Sequence, residues 1–213
     1  MNTFSLKLRV TAVGLAVALF GGGCGLLEPK AERYVAPPLG STWVTARQDT
    51  GSFGSGSGKV EGRRGERMHQ GSQAITFEAA DGTVVATPEG NWYGIFKGDT
   101  PVMTWDPPLH WQWPIEVGKT WTREQRVTFH AARRTVPYEL TQTVEAYEDI
   151  TLPAGTFKTF RVRTVTSTGD DNVVWFSPEL GLFVKQSLKR SAKHALGAGT
   201  REIELLSYKR AGD

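Results

Sequence analysis

Cysteine is nearly absent from this chain. Cys24 stands alone among 213 residues, so no disulfide can close within the chain and its folded part must hold together by burying apolar side chains. Long apolar runs are missing too. The conspicuous one, Val10 to Phe20, is eleven residues, whereas a helix crossing the hydrocarbon core needs about 20. The four histidines, His69, His110, His130 and His194, lack metal-ligand spacing such as a pair four apart on a helix. No G-x-S-x-G elbow is present, and no carboxylate is singled out by an acid/base motif. The glycine-rich stretch 51–58, GSFGSGSG, lacks the lysine-hydroxyl pair and the following helix of a phosphate loop; it reads as a flexible hairpin connection. No catalytic residue, metal or cofactor is therefore expected.

What is present begins with an address. Lys7 and Arg9 precede the apolar run, and Gly21-Gly22-Gly23 lead into Cys24. Basic, apolar, small, then cysteine is the layout of an export signal ending at a lipidation site. The stretch resembles bacterial lipoprotein signals, in which the cysteine becomes the first mature residue and carries the acyl groups. It departs from them at Gly21, where leucine is usual. The resemblance implies a membrane partner through a lipid anchor at Cys24. Gly25, in the place where aspartate favours retention at the inner membrane, implies the outer membrane, facing the periplasm. Residues 24–40, with Pro29, Pro37 and Pro38, read as a tether, and 41–213 as a single β-domain.

Removal of 1–23 takes away two positive charges and no negative one, so the net charge falls from +3 to +1. The basic balance of the whole chain therefore overstates the case for a nucleic-acid partner, which would want a concentrated basic surface, and none is expected. The remaining 190 residues suffice for one domain of ordinary size. The local basic runs Lys59–Arg63–Arg64–Arg67 and Lys185–Lys189–Arg190–Lys193 read as solvated sheet faces and guarded strand edges, and Asp170 and Asp171 as solvated turn residues.

From Ser41 onward, β-branched and aromatic segments alternate with Gly, Asp, Asn and Pro clusters. Strands are expected at 42–48, 59–68, 73–79, 83–87, 91–97, 101–105, 119–130, 135–148, 157–168, 172–177, 182–190 and 200–209, with a short helix near 189–196. Phe160 and Val162 alternate with Arg161 and Arg163, and Tyr138, Leu140 and Val144 with Glu139, Thr141 and Glu145. A two-residue period means antiparallel sheet with one face buried. The fold class is all-β: an antiparallel β-sandwich or a curved, partly closed β-barrel with little helix.

Trp92, Trp105, Trp111, Trp113 and Trp121 fall in one thirty-residue window. Packing of core and loops is the commoner use of such residues; a surface on which sugars, lipid tails or aromatic peptides stack is the other. Trp111 and Trp113 flank Gln112 and share a face if the segment is extended. They lead the ligand-binding candidates, with Trp105 and Trp92 behind them.

From Ile150 to Phe160 the chain reads ITLPAGTFKTF, followed by RVRT and, from Val173 to Gln186, VVWFSPELGLFVKQ. This resembles an uncharacterised family of bacterial envelope domains with a P-A-G-x-F … W-[YF]-S-P-x-x-G pattern, over about residues 115–190. The resemblance implies an antiparallel β-domain in the envelope and brings no catalytic residues. The expected function is a lipid-anchored, non-catalytic domain that binds an apolar or glycan ligand or an envelope protein partner. An accessory role in an outer-membrane complex and hydrolysis of envelope polymers are the alternatives.

Overall fold

The structure is a computed structural model and describes residues 29–213. The export segment and Cys24 lie outside the described residues. Twelve strands form a closed antiparallel barrel: β2 (Thr42–Gly51), β3 (Gly56–His69), β4 (Ser72–Ala79), β5 (Gly82–Ala86), β6 (Trp92–Lys97), β7 (Thr100–Leu109), β9 (Thr120–Phe129), β10 (Arg134–Leu152), β11 (Gly155–Thr166), β12 (Asp170–Ser177), β13 (Leu182–Arg190) and β14 (Gly199–Lys209). Each pairs with the next in sequence, and β14 returns to β2 with Gly199 opposite Gly51 and Lys209 opposite Thr42. Two short strands, β1 (Lys30–Ala31) and β8 (Ile115–Glu116), pair with one another. Every expected strand is present, and the sheet is closed all the way round. The helix expected near 189–196 is absent: those residues finish β13 and enter a turn in which Ser191 N–H donates to Gly169 O at 2.8 Å and His194 N–H to Ser191 O at 3.1 Å.

Closure leaves the barrel without free edges, so the basic residues do other work. Outside, Arg161 reaches Glu145 and Glu148, and Lys185 reaches Glu204 at 2.8 Å. Two of the expected solvated cations are not solvated. Arg64 is 4% exposed and pairs with Glu66, and Arg190 faces the interior described below. The turn carboxylates also differ from expectation, since Asp170 points inward and Asp171 accepts two hydrogen bonds from Arg163.

The strand order gives the barrel two distinct ends. Six hairpins, from β2–β3 to β13–β14, turn at the distal end. The other connections, including the long one from β7 to β9, lie at the proximal end. The main core sits at the proximal end, where Ile115, Trp121, Val144, Phe160, Val162, Val174 and Phe176 are buried together. Each large apolar side chain fully buried there contributes about 1.5–3 kcal/mol.

Residues 30–40, expected as part of a tether, lie against the barrel. Besides the β1–β8 pairing, Tyr34 packs on Trp113 and Phe176 with ring centroids 6.2 Å away, and its hydroxyl donates to Gly181 O at 3.0 Å. Gly40 N–H donates to Arg64 O and Arg64 N–H to Ser41 O, each at 2.9 Å. We call this segment the strap. Gly181, the glycine of the W-F-S-P-x-x-G stretch, permits its approach. Its φ is +67°, and a Cβ there would stand 2.1 Å from Val35 O. Gly181→Ala is therefore expected to cost about 1–3 kcal/mol in a denaturant melt. Gly71, also at positive φ but with nothing within 4 Å of such a Cβ, is the control. Equal losses in Gly181→Ala and Gly71→Ala would show that the strap's close approach contributes nothing.

Candidate functional site

The barrel encloses a cavity of about 650 Å³, within the roughly 300–1,000 Å³ of ordinary small-molecule sites. Barrel diameter grows with strand number, and eight strands already enclose room for side chains or one small ligand, so twelve leave space for such a cavity. The cavity is unlike at its two ends.

At the proximal end it has an aromatic floor. The connection between β7 and β9 carries Trp111 and Trp113 beneath the barrel, and Lys119 pins this connection by donating to Gln112 O at 2.8 Å and Pro114 O at 2.7 Å. The Trp111 ring stacks on Phe183 (5.4 Å, 26°) and meets Phe176 edge-on at 5.5 Å. Trp113 meets Phe176 at 5.8 Å and Trp111 at 6.2 Å. Trp92 joins the group 6.0 Å from Phe183 and 6.3 Å from Trp105. All four candidate tryptophans line the cavity. Packing and lining are thus not alternatives for Trp111 and Trp113, which touch the proximal core on one side and the cavity on the other. Trp105 is 8% exposed and also borders a smaller cleft with His69 and His130. Trp121 is a core residue, with its Nε1–H donating to Gln142 Oε1 at 3.1 Å.

Ile95, Val127, Leu140 and Val174 form the apolar middle of the wall. At the distal end the lining turns charged. Arg201 donates to both oxygens of Asp49 at 2.8 Å. That hydrogen bonding holds the Asp49 carboxyl below the usual carboxylate range. The resulting stabilisation is present above the unfolded value of about 3.9 and is lost as pH falls through the lower folded value. Arg47 contacts Asp81 and lies 3.4 Å from Asp49. Arg190 Nε lies 3.5 Å from Asp170 Oδ1. The Phe53 ring, from the glycine-rich β2–β3 connection, lies beneath both the Arg190 guanidinium at 3.7 Å and that of Arg201 at 4.7 Å.

His194 is 7% exposed at this end. Its Nδ1 accepts Leu196 N–H at 3.1 Å, and its Nε2 faces Asp170 Oδ2 at 3.7 Å. Burial pushes its pKa down, against the pull of Asp170. Nδ1 is thus held by the backbone, while Nε2 stands beside the Asp170 carboxylate without a hydrogen bond to it. Burial also raises the Tyr138 hydroxyl above its ordinary value, so this cavity-lining phenol remains a neutral donor. Among the described residues no group of three or more His, Cys, Asp or Glu side chains is placed to hold a metal ion.

The sequence pointed to the aromatic floor through the density of tryptophan. It did not point to the charged end, because Arg47, Asp170, Arg190 and Arg201 come one at a time from separate strands or strand ends, and each looks like an ordinary solvated residue.

No family model matches the chain, and no curated protein matches it. Among solved structures it is similar to one described as an exported protein with YmcC-like fold from Bacteroides fragilis, at 13% identity and TM-score 0.46, over 84% of this chain and 100% of that one. It is similar to a chain described as a lipoprotein from Parabacteroides distasonis, at 11% identity and TM-score 0.44, over 84% and 99%. A third is the hypothetical lipoprotein YmcC from Escherichia coli, at 14% identity and TM-score 0.44, over 79% and 84%. Scores of this size are distant likenesses and say nothing of what this chain binds.

Proposed function

We propose that this chain is a cell-envelope lipoprotein, anchored through Cys24 to the outer membrane on its periplasmic side, whose barrel binds a ligand with an apolar body and performs no reaction on it. The observation that carries the binding function is the barrel cavity of about 650 Å³ with its floor of Trp92, Trp111, Trp113 and Phe183. Filling it would remove apolar surface on both sides from water at about 25 cal/mol per Å². The order of Lys7, Arg9, the apolar run and Cys24 supports export and lipidation.

The test uses the protein's own tryptophans. Dodecyl maltoside carrying a terminal bromine, below its micelle concentration, is expected to quench their emission saturably. Trp111→Ala removes the stack on Phe183 and is expected to weaken binding about tenfold, equivalent to about 1.4 kcal/mol. Quenching that is absent or linear, or that Trp111→Ala leaves unchanged, would overturn the reading.

A further inference from the structure

The asymmetry of the cavity says more about the ligand than its volume does. We infer that the barrel takes an amphiphile whose head group bears no net charge, with its tail toward the strap and its head among the distal arginines and aspartates. This rests on the binding function proposed above and narrows the ligand class.

The argument is one of charge pairing. The distal end brings three arginines to the cavity, and each already has a carboxylate: Arg201 with Asp49, Arg47 with Asp81, and Arg190 with Asp170. An incoming carboxylate or phosphate finds no unopposed cation. It would have to displace an internal carboxylate and then sit beside it, and juxtaposing like charges carries a cost of several kcal/mol where they are desolvated. An ammonium head has the same difficulty with the guanidiniums. A sugar or other hydroxylated head avoids both penalties, and a zwitterion can match the alternating signs. The hydrogen bonds it needs are on offer from the Tyr138 hydroxyl, the Asn172 and Gln186 amides and the Arg190 guanidinium, all of which line the cavity. The tail's direction follows from the aromatic floor at the opposite end.

The experiment holds the chain constant and varies the head. Dodecyl maltoside, dodecylphosphocholine, dodecyl phosphate and dodecyltrimethylammonium compete for the site occupied by the brominated maltoside. The sugar and zwitterionic heads are expected to compete at least about tenfold better than either charged one. Asp170→Asn leaves Arg190 unopposed and is expected to improve dodecyl phosphate about tenfold relative to the maltoside. Asp81→Asn, at the more exposed pair, serves if the first variant fails to fold and is expected to shift the preference in the same direction. A charged head that wins on the unaltered protein, or a preference that neither folded variant moves, would overturn the head-group assignment while leaving lumen binding intact. If no dodecyl probe of any charge competes or quenches, the binding function falls and the assignment with it.

Discussion

The Cys24→Ser variant is expected to leave the membrane altogether. Wild-type protein is expected to sediment with envelope membranes and to take up labelled palmitate; the serine variant is expected to do neither and to be recovered in the soluble fraction. The size of the effect follows from acyl-chain energetics. Each buried methylene contributes about 0.8 kcal/mol, so one chain binds reversibly and two or more hold firmly. Among the described residues no helix is long and apolar enough to span a bilayer and replace the anchor. A wild-type chain that incorporates no label, or a Cys24→Ser chain that stays in the membrane fraction, would sink the anchoring proposal and leave the barrel's binding function to stand or fall separately.

The largest stability effect is expected from Phe176→Ala. Phe176 is 2% exposed. Its ring touches the strap through Tyr34, the tryptophan connection through Trp111 and Trp113, and the neighbouring strand through Phe183, all with centroids 5.5–6.2 Å away. Truncating a buried phenylalanine costs about 3–5 kcal/mol in lost transfer energy and residual cavity. At roughly 2–4 °C per kcal/mol for a domain of this size, calorimetry should show the melting temperature falling by roughly 6–20 °C. The aromatic floor would loosen with it, so binding of the brominated probe should also weaken. A fall of less than about 2 °C would mean that the strap and floor do not depend on this ring.

Much of the barrel can be read from local pattern. The segment KTFRVRTV alternates its apolar and basic residues with a period of two, and the structure buries Phe160 and Val162 while Arg161 and Arg163 pair with outside carboxylates. Turn residues mark the hairpins equally well: Ala79 pairs with Gly82 around Ala80-Asp81, and Leu152 with Gly155 around Pro153-Ala154. Closure is harder to read. It depends on β14 meeting β2, whose residues are about 150 positions apart, and on the summed twist and stagger of twelve strands. The strap was opaque for a related reason. Its prolines truly disfavour helix, but only the assembled core shows that Tyr34 has a slot to fill. The stretch KRSAKHAL has residues compatible with a helix, yet the Ser191 and His194 backbone contacts to the β11–β12 turn and within the loop override that weak preference. The distal charges stayed hidden because one-residue contributions from separate strands leave no spacing to detect.

The β1–β8 pairing also limits how the protein rides on its membrane. Only six chain steps, with five residues between, separate Cys24 from Lys30, where the first strand of the described residues pairs with β8. Fully extended, they reach about 20 Å at no more than about 3.6 Å each. With an acylated Cys24, the molecule would be moored on a short line, its tryptophan-lined pole held near the lipid surface and its arginine-rimmed pole kept facing the water.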